Sequence, residues 1–334
     1  MMMLYRSYKE IDTLQWNELV QKSDTATWFQ TPEAYALFAS LPDEFKPFAY
    51  GVSENGQLSG IIVGYITQEK NRLKQFFTRR AIIVGGPLLD AEISSEALSA
   101  LLQIVRSELS KQAIYIETRN FNDYSRWKDI FRAQGFSYQP HLNFHVDCVE
   151  QERMLSKISE SRRRQIKKAL SSGVEINEAQ SEEEVKVYYN LLKDLYTHKV
   201  KTPLLSQEFF LFFYRKHFGK YLLVRYNGNI IGGIMCPILD NRTIYEWFVC
   251  GQDEQYKKQY PSVLATYAAM DYAVRNHILQ FDFMGAGKPD EAYGVRDFKA
   301  RFGGEQVEHG RFLCVCRPFL YQLGKWGVKL LKMR

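Results

Sequence analysis

The feature that most constrains this chain is that it repeats itself. Asn55-Gly-Gln-Leu-Ser-Gly-Ile-Ile62 corresponds to Asn227-Gly-Asn-Ile-Ile-Gly-Gly-Ile234, an Asn-Gly pair followed four residues after its Gly by another Gly. Asn-Gly predicts a hairpin, because both residues tolerate the positive φ of a two-residue turn. Ile130, Gly135, Val146 and Cys148 lie at a constant offset of 168 positions from Phe298, Gly303, Cys314 and Cys316. Thr31-Pro-Glu33 and Ser206-Gln-Glu208 both read as helix starts, with a hydroxyl at the N-cap and an acid in the first turn. The helix pattern at 94–110 with the strand Ala113-Ile-Tyr-Ile-Glu117 matches 262–276 with Leu279-Gln-Phe-Asp-Phe283. One mixed unit is therefore used twice. Each copy reads as a strand, two helices, a hairpin, a helix, a strand, a helix and a strand. The fold class is α/β (α+β), each copy a mixed, largely antiparallel sheet flanked by helices. The expected boundaries are 1–150, a basic linker helix at 151–173, 174–316, and a tail helix at 317–334; 334 residues suit two domains.

The copies differ most usefully at Tyr293-Gly-Val-Arg-Asp-Phe-Lys-Ala-Arg-Phe-Gly-Gly304. Val295, Phe298 and Phe302 fall at i, i+3 and i+7 and predict one apolar helix face. Arg296 and Lys299 sit beside it, Asp297 and Arg301 form an i,i+4 pair, and Gly303-Gly304 supplies the stop. In the first copy the position of Lys299 is held by Phe131. The apolar frame is common to both copies and the ammonium belongs to one, which points to chemistry at Lys299.

Two segments have no counterpart in the repeat. From 157 to 168 the chain carries Lys157, Arg162, Arg163, Arg164, Lys167 and Lys168 against Glu160 alone, a density that suits phosphate contact. In the tail, Phe319, Leu323, Trp326, Leu330 and Met333 form a stripe opposite Lys325, Lys329 and Lys332, the pattern of a helix that lies on a membrane or docks on a domain. The net charge of +6 favours a phosphate-bearing partner without demanding one. No apolar run reaches the roughly 18 residues needed to span a membrane, and the first residues lack a signal-peptide core. The five cysteines are odd in number and without C-x-x-C spacing, and read as free thiols of a cytoplasmic protein. The histidines show no ligand spacing, so no metal is expected.

Further candidates lie on the second copy's strands. Asp282, in Phe-Asp-Phe, either orients or deprotonates an amine or caps a turn. Glu246 between Tyr245 and Trp247 has the same two readings. Tyr245 and Trp247, two apart on one strand, either line a groove or belong to the core. No Ser-His-Asp or Cys-His arrangement is visible, so acyl transfer here would proceed by direct attack.

Taken together, these motifs resemble the Fem-type aminoacyltransferases of peptidoglycan cross-bridge synthesis, within the tandem proteins of the acetyltransferase (GNAT) fold. The residues that carry the resemblance are Tyr293…Phe298-Lys299…Phe302-Gly303-Gly304, Phe281-Asp-Phe-Met-Gly285, the hairpin Leu222…Asn227-Gly228…Gly232, the basic Ser161-Arg-Arg-Arg-Gln-Ile-Lys-Lys-Ala169, and Phe29-Gln30-Thr31-Pro32 with Gly85-Gly86-Pro87. The resemblance covers nearly the whole chain. It implies two tandem GNAT-like domains with the reacting groove in the second. It implies transfer of an aminoacyl group from charged tRNA, as co-substrate, to an amine of a cell-wall precursor, soluble or lipid-linked. Lys299 would lie near the transferred carbonyl or the RNA end, with Asp282 and Glu246 as further catalytic candidates. Arg162, Arg164, Lys167, Lys199, Tyr245, Trp247, Tyr293 and Arg301 would contact substrates.

Two departures qualify it. Gly251-Gln-Asp-Glu-Gln-Tyr-Lys-Lys-Gln-Tyr-Pro-Ser262 has no glycine near the next helix start, which disfavours acetyl-CoA. Leu195-Tyr-Thr-His-Lys199 lacks the Arg often found there in Fem-type enzymes, which leaves the acceptor open. The alternatives are an acyl-CoA- or acyl-carrier-protein-dependent N-acyltransferase of amino sugars or amino acids, and a non-catalytic binder of glycans or nucleic acid.

Overall fold

The computed structural model describes residues 1–69 and 72–332, with side chains for 1–69 and 75–326. Lys329, Leu330, Lys332 and Met333 of the tail stripe lie outside the described side chains. The strands of the first copy are β1 (Met2–Tyr5), β2 (Phe45–Glu54), β3 (Gln57–Thr67), β4 (Arg80–Gly85), β5 (Leu88–Leu89), β6 (Tyr115–Asn120), β7 (Ser137–Gln139) and β8 (Leu142–Asp147). Those of the second are β9 (Glu175–Glu178), β10 (Gly219–Tyr226), β11 (Asn229–Leu239), β12 (Thr243–Tyr245), β13 (Phe248–Gly251), β14 (Gln280–Asp282), β15 (Glu305–Glu308) and β16 (Arg311–Val315).

The duplication is real in the backbone. Both hairpins turn on left-handed Asn-Gly pairs, Asn55 (φ 52°) with Gly56 (φ 83°) and Asn227 (φ 49°) with Gly228 (φ 76°). Both carry a register shift at the matching position, Val52/Ser53 and Val224/Arg225. Among the described strand pairings each sheet has one parallel pair, β4 with β6 and β12 with β14, and the rest are antiparallel. The predicted mixed, largely antiparallel sheet flanked by helices is thus present twice.

The compact units do not follow the sequence halves. One unit is Met1–His141 with Glu308–Arg334, and the other is Leu142–Val307. The described strands order as β1-β2-β3-β4-β6-β16-β7, with β5 on β3, in the first unit, and as β15-β8-β14-β12-β11-β10-β9, with β13 on β11, in the second. Strands β8 and β16, equivalent in the repeat, are exchanged. This corrects the boundaries at 150 and 174. The offset of 168 is the same whether a strand returns to its own sheet or joins the other, so the repeat alone does not reveal the exchange.

The expected linker helix also resolves differently. It is two helices, Gln151–Lys157 and Glu160–Ser171. Met154, Ile158, Ile166 and Ala169 are buried in the core of the second unit with Phe281, Phe283 and Phe302. The segment is part of that unit because its apolar positions recur every three or four residues beneath the charged ones. Within the first unit, the core gathers Ile62, Ile83, Leu101, Val105, Phe131 and Phe312 between its sheet and helix Ser95–Leu109. All five cysteines are free; four are buried and Cys316 is half-buried.

Candidate functional site

The site grows from a break in the second unit's sheet. Strand β11 pairs through Ile238–Leu239 with β12 and through Gly232–Met235 with β13. Between them the chain leaves the ladder at Glu246 and Trp247, opposite Cys236 and Pro237, a proline that has no N–H to give. Trp247 N–H closes the kink on Met235 O (3.2 Å) and Tyr245 O (3.1 Å), and Glu246 N–H donates to Asp282 O at 2.9 Å. The kink turns Glu246 into a place where a regular strand would put no carboxylate, and buries it to 5% exposure.

Lys299 reaches that carboxylate. Its Nζ lies 3.1 Å from Glu246 Oε1 and donates to Phe283 O (2.7 Å) and Gly285 O (3.0 Å). An ammonium has three hydrogens, so these three acceptors use them all. Nζ also lies 5.3 Å from the Phe283 ring centroid. Thr266 Oγ donates to Glu246 Oε2 at 3.0 Å. Burial pushes the Glu246 carboxyl up, against the opposing pull of Lys299 and the Thr266 hydrogen bond, and the net direction is upward.

Asp282 completes the cluster. Its Oδ1 accepts from Met284 N–H (2.5 Å) and Asn143 Nδ2 (2.8 Å), and its Oδ2 lies 3.1 Å from His145 Nε2. Asn143 Oδ1 in turn accepts from Gly285 N–H at 2.7 Å. The loop after β14 is thus gripped on both sides, its N–H groups by Asp282 and Asn143 and its carbonyls by Lys299. That grip holds Met284 at φ 58° and Gly285 at φ 127°, conformations a free loop would seldom visit. Register explains the meeting: Tyr245, Asp282 and His145 lie directly opposite one another across β12, β14 and β8 and share a sheet face. Burial works against the His145 imidazolium, but the Asp282 carboxylate beside it, and Glu305 more weakly, raise its pKa overall. His145 and Asn143 were not singled out in the sequence. Their alternation along β8 was visible, but β8 enters this sheet only through the exchange.

Helix Gly294–Ala300 presents Lys299, with departures from the predicted face. Phe302 is fully buried and Phe298 half-buried, while Val295 is 43% exposed and lies outside the core. Asp297 and Arg301 form no ion pair among the described residues. Arg296 instead donates to Ala286 O (2.9 Å) and Glu291 O (3.0 Å) and to Lys288 O, securing loop 286–291. The predicted glycine stop holds: Gly303 has φ 80°, and a Cβ there would meet Lys157 O at 2.2 Å. Tyr293 is 44% exposed, its ring against Gly287.

The other candidates separate. Tyr245 and Trp247 do not share a strand, because the break falls between them. Tyr245 is buried and Trp247 packs with Phe209, Phe213 and Phe248, so the pair forms no common platform. Arg164 is exposed beside Glu160 (3.5 Å) and Lys167 is exposed. Lys199 is held by Glu254 at 2.7 Å, a hydrogen bond that raises its pKa. Arg162 is buried under the aromatic rings of Phe298 (4.3 Å) and Phe302 (5.3 Å). Arg301 is exposed, and its carbonyl accepts from Ser159 N–H at 3.0 Å. A surface depression of about 360 Å³ at Ile176, Glu178, Leu222, Tyr272 and Arg275 contains none of the cluster. Among the described residues, no group of three His, Cys, Asp or Glu could hold a metal ion, and no helix is long and apolar enough to cross a membrane.

At the start of helix Pro261–Arg275 the free N–H groups are met by the protein itself. Asp253 accepts from Ser262 N–H (3.2 Å) and from the Ser262 hydroxyl. A carboxylate thus occupies the position where a helix N-terminus would take a phosphate.

Comparison with known proteins agrees with this architecture. Residues 233–326, which include Glu246, Asp282 and Lys299, match the FemAB family. The fold is similar to that of FemX, with a TM-score of 0.72 at 14% identity over 94% of this chain and 98% of that one. It is also similar to the C-terminal domain of a putative lysylphosphatidylglycerol synthetase from Agrobacterium fabrum (TM-score 0.58, 12% identity, 96% and 95% covered). A tandem GNAT protein from the clavulanic acid biosynthesis pathway matches with a TM-score of 0.56 at 10% identity, covering 95% and 99%. A sequence search of curated proteins returned no match. The FemAB match thus lies over Glu246, Asp282 and Lys299, and the fold, with its sheet built twice, is similar to that of FemX and of the tandem GNAT protein.

Proposed function

We propose that the protein transfers an aminoacyl group from aminoacyl-tRNA to a side-chain amine of a peptidoglycan precursor by direct attack. The observation that carries this reading is the FemAB match over 233–326, the segment that contributes Glu246, Asp282 and Lys299. In the reaction the amine nitrogen forms an amide bond with the ester carbonyl carbon, and the carbon–oxygen bond to the ribose breaks. The ribose oxygen departs with a proton and the amine loses one.

In this reading Lys299 acts by holding the Phe283 and Gly285 carbonyls and by keeping one positive charge at the floor of the site. Asp282 and Asn143 hold the same loop from its N–H side. The kinked strand places Glu246 so that the ammonium is paired within the protein. Asp253 at the start of helix 261–275 supports a donor other than CoA, since a second anion there would face a carboxylate. Phe319, Leu323 and Trp326 stand exposed on helix Pro318–Lys332 and support contact with a membrane that carries a lipid-linked acceptor.

The test offers the purified protein charged tRNA and acetyl-CoA with several acceptor amines, among them a nucleotide-linked muropeptide. Amide product from charged tRNA and none from acetyl-CoA is expected; product from acetyl-CoA alone overturns the reading. For the tail, a chain ending at 316 is expected to bind anionic vesicles more weakly than the full chain, and equal binding removes the membrane contact.

A further inference from the structure

One buried charge in the second unit makes no ion pair among the described residues. Arg162, in the first turn of helix Glu160–Ser171, is 7% exposed. Its Nη1 donates to Gln165 Oε1 at 2.8 Å, and its Nε is buried without a hydrogen-bond partner. Among the described residues no carboxylate lies within 4.0 Å of its guanidinium. One face is covered by Phe298 and Phe302. Burial, reinforced by the neighbouring Arg301, lowers its pKa against the weaker pull of Asp253. A guanidinium this deep costs several kcal/mol unless something opposes it, and the like charge of Arg301 adds to that cost. Proteins retain such an arrangement where a ligand brings the negative charge.

The surroundings say which part of a ligand it would meet. The chain of Arg301–Gly303 is fastened to the start of this helix by Ser159 N–H on Arg301 O and by the contact of Gly303 with Lys157. Arg301 lies two residues from Lys299 on the segment that ends the catalytic helix. Helix 160–171 packs against helix 261–275, whose own N-terminus is blocked by Asp253. The N-terminus of that helix is therefore closed to an anion, and Arg162, without an ion pair among the described residues, lies on the helix packed against it.

We propose that Arg162 and Arg301 form an anion subsite that takes a backbone phosphate at the acceptor end of the donor RNA. This rests on the RNA-dependent reading above. The planar guanidinium of Arg162, stacked on Phe298, is pre-oriented by the ring, so a phosphate would meet its free Nη2. Binding there would also tie the donor to the helix that carries Lys299.

The test measures affinity of the full chain for an uncharged RNA ending in the acceptor sequence, for inorganic pyrophosphate, and for a nucleotide-linked muropeptide. Arg162→Gln and Arg301→Gln are expected to weaken RNA and pyrophosphate binding about tenfold, the loss of one charge-assisted contact, and to flatten the salt dependence by about one unit of log–log slope. Muropeptide affinity is expected to stay unchanged. Arg215→Gln makes the same change of charge on helix Gln207–Arg215 and is expected to do neither. Because Arg301 is exposed, its variant keeps the test valid if Arg162→Gln fails to fold. Unchanged RNA and pyrophosphate binding in Arg301→Gln and Arg162→Gln overturns the subsite. A loss confined to the muropeptide overturns it as a donor site. Should the wild type transfer from acetyl-CoA and bind no RNA, the proposed function fails; retained pyrophosphate binding in the variants would then overturn the subsite too, and its loss would support an anion subsite serving another donor.

Discussion

Helix Lys128–Ala133 in the first unit and helix Gly294–Ala300 in the second are the same element twice. Phe131 and Lys299 occupy matching positions on them. Phe131 is fully buried and stacks on Phe312, with ring centroids 3.9 Å apart and an interplanar angle of 9°. Lys299 reaches past its own helix to a carboxylate and two carbonyls. One copy uses the position to fill a core, the other to gather polar groups at a kinked strand. What allows the second use is Glu246. The first unit's corresponding break, between β4 and β5, is made by Gly86-Pro87 and offers no carboxylate. A lysine in the first unit would therefore find no partner.

Interchanging the two uses should break the comparison most severely. Phe131→Lys loses a stacked ring and buries an unpaired ammonium, and should cost at least about 4 kcal/mol, read by denaturant unfolding. Lys299→Met leaves Glu246 and two carbonyls without their donor. It should cost about 3 kcal/mol of stability and lower turnover at least tenfold, about 1.4 kcal/mol of barrier. Turnover unchanged in Lys299→Met would reduce Lys299 to a packing residue like its counterpart. Lys299→Met combined with Glu246→Gln should recover part of the lost stability, because the buried charge is gone, without recovering turnover.

The paired glycines sharpen the comparison at a smaller scale. Gly303→Ala meets the backbone carbonyl of Lys157 and should cost about 2 kcal/mol, combining left-handed strain with a clash. Gly135→Ala has the same φ sign, at 84°, but meets the far end of the Arg106 side chain. It should cost about 1 kcal/mol, since that guanidinium can move aside. Equal costs would mean that the Lys157 contact is not rigid.

The smallest effect is the pH dependence that the second unit's buried cluster contributes. Glu246 and His145 both bind their protons more tightly when folded, so stability should fall as pH rises, above 4.5 for Glu246 and above 6.5 for His145. Glu246→Gln should remove the first slope. Asp282→Asn should lower the His145 pKa, because burial is then opposed only by the weaker pull of Glu305, and an NMR titration of the imidazole reads it directly. A His145 pKa that stays raised in Asp282→Asn would mean that Asp282 does not hold the imidazolium.

Much of the architecture was legible because it rests on local rules. Asn55-Gly56 and Asn227-Gly228 turn as written, Thr31 caps its helix by accepting from Ala34 N–H at 3.2 Å, and Gly303 stops the helix of Lys299. Of the site, Lys299, Asp282 and Glu246 were legible as single residues, and the structure brings all three into one cluster. Val295 and the Tyr245–Trp247 pair misled because periodicity was extended across a helix end and a strand break. His145 and Asn143 stayed hidden because they belong to a strand whose neighbours are set by a distant part of the chain.

By itself, then, the amino-acid order determined the duplication, the hairpins, the helix stops and the asymmetry between Phe131 and Lys299, all consequences of turn chemistry and side-chain spacing within a few residues. Only the tertiary structure decided which sheet receives β8 and which receives β16, that Arg162 is buried under two aromatic rings, and that the ammonium of Lys299 is shared among Glu246, Phe283 and Gly285. Those are matters of pairing between segments far apart in the chain. Two equivalent strands carry the same local pattern, and their choice of partner is made by the whole sheet rather than by the strand.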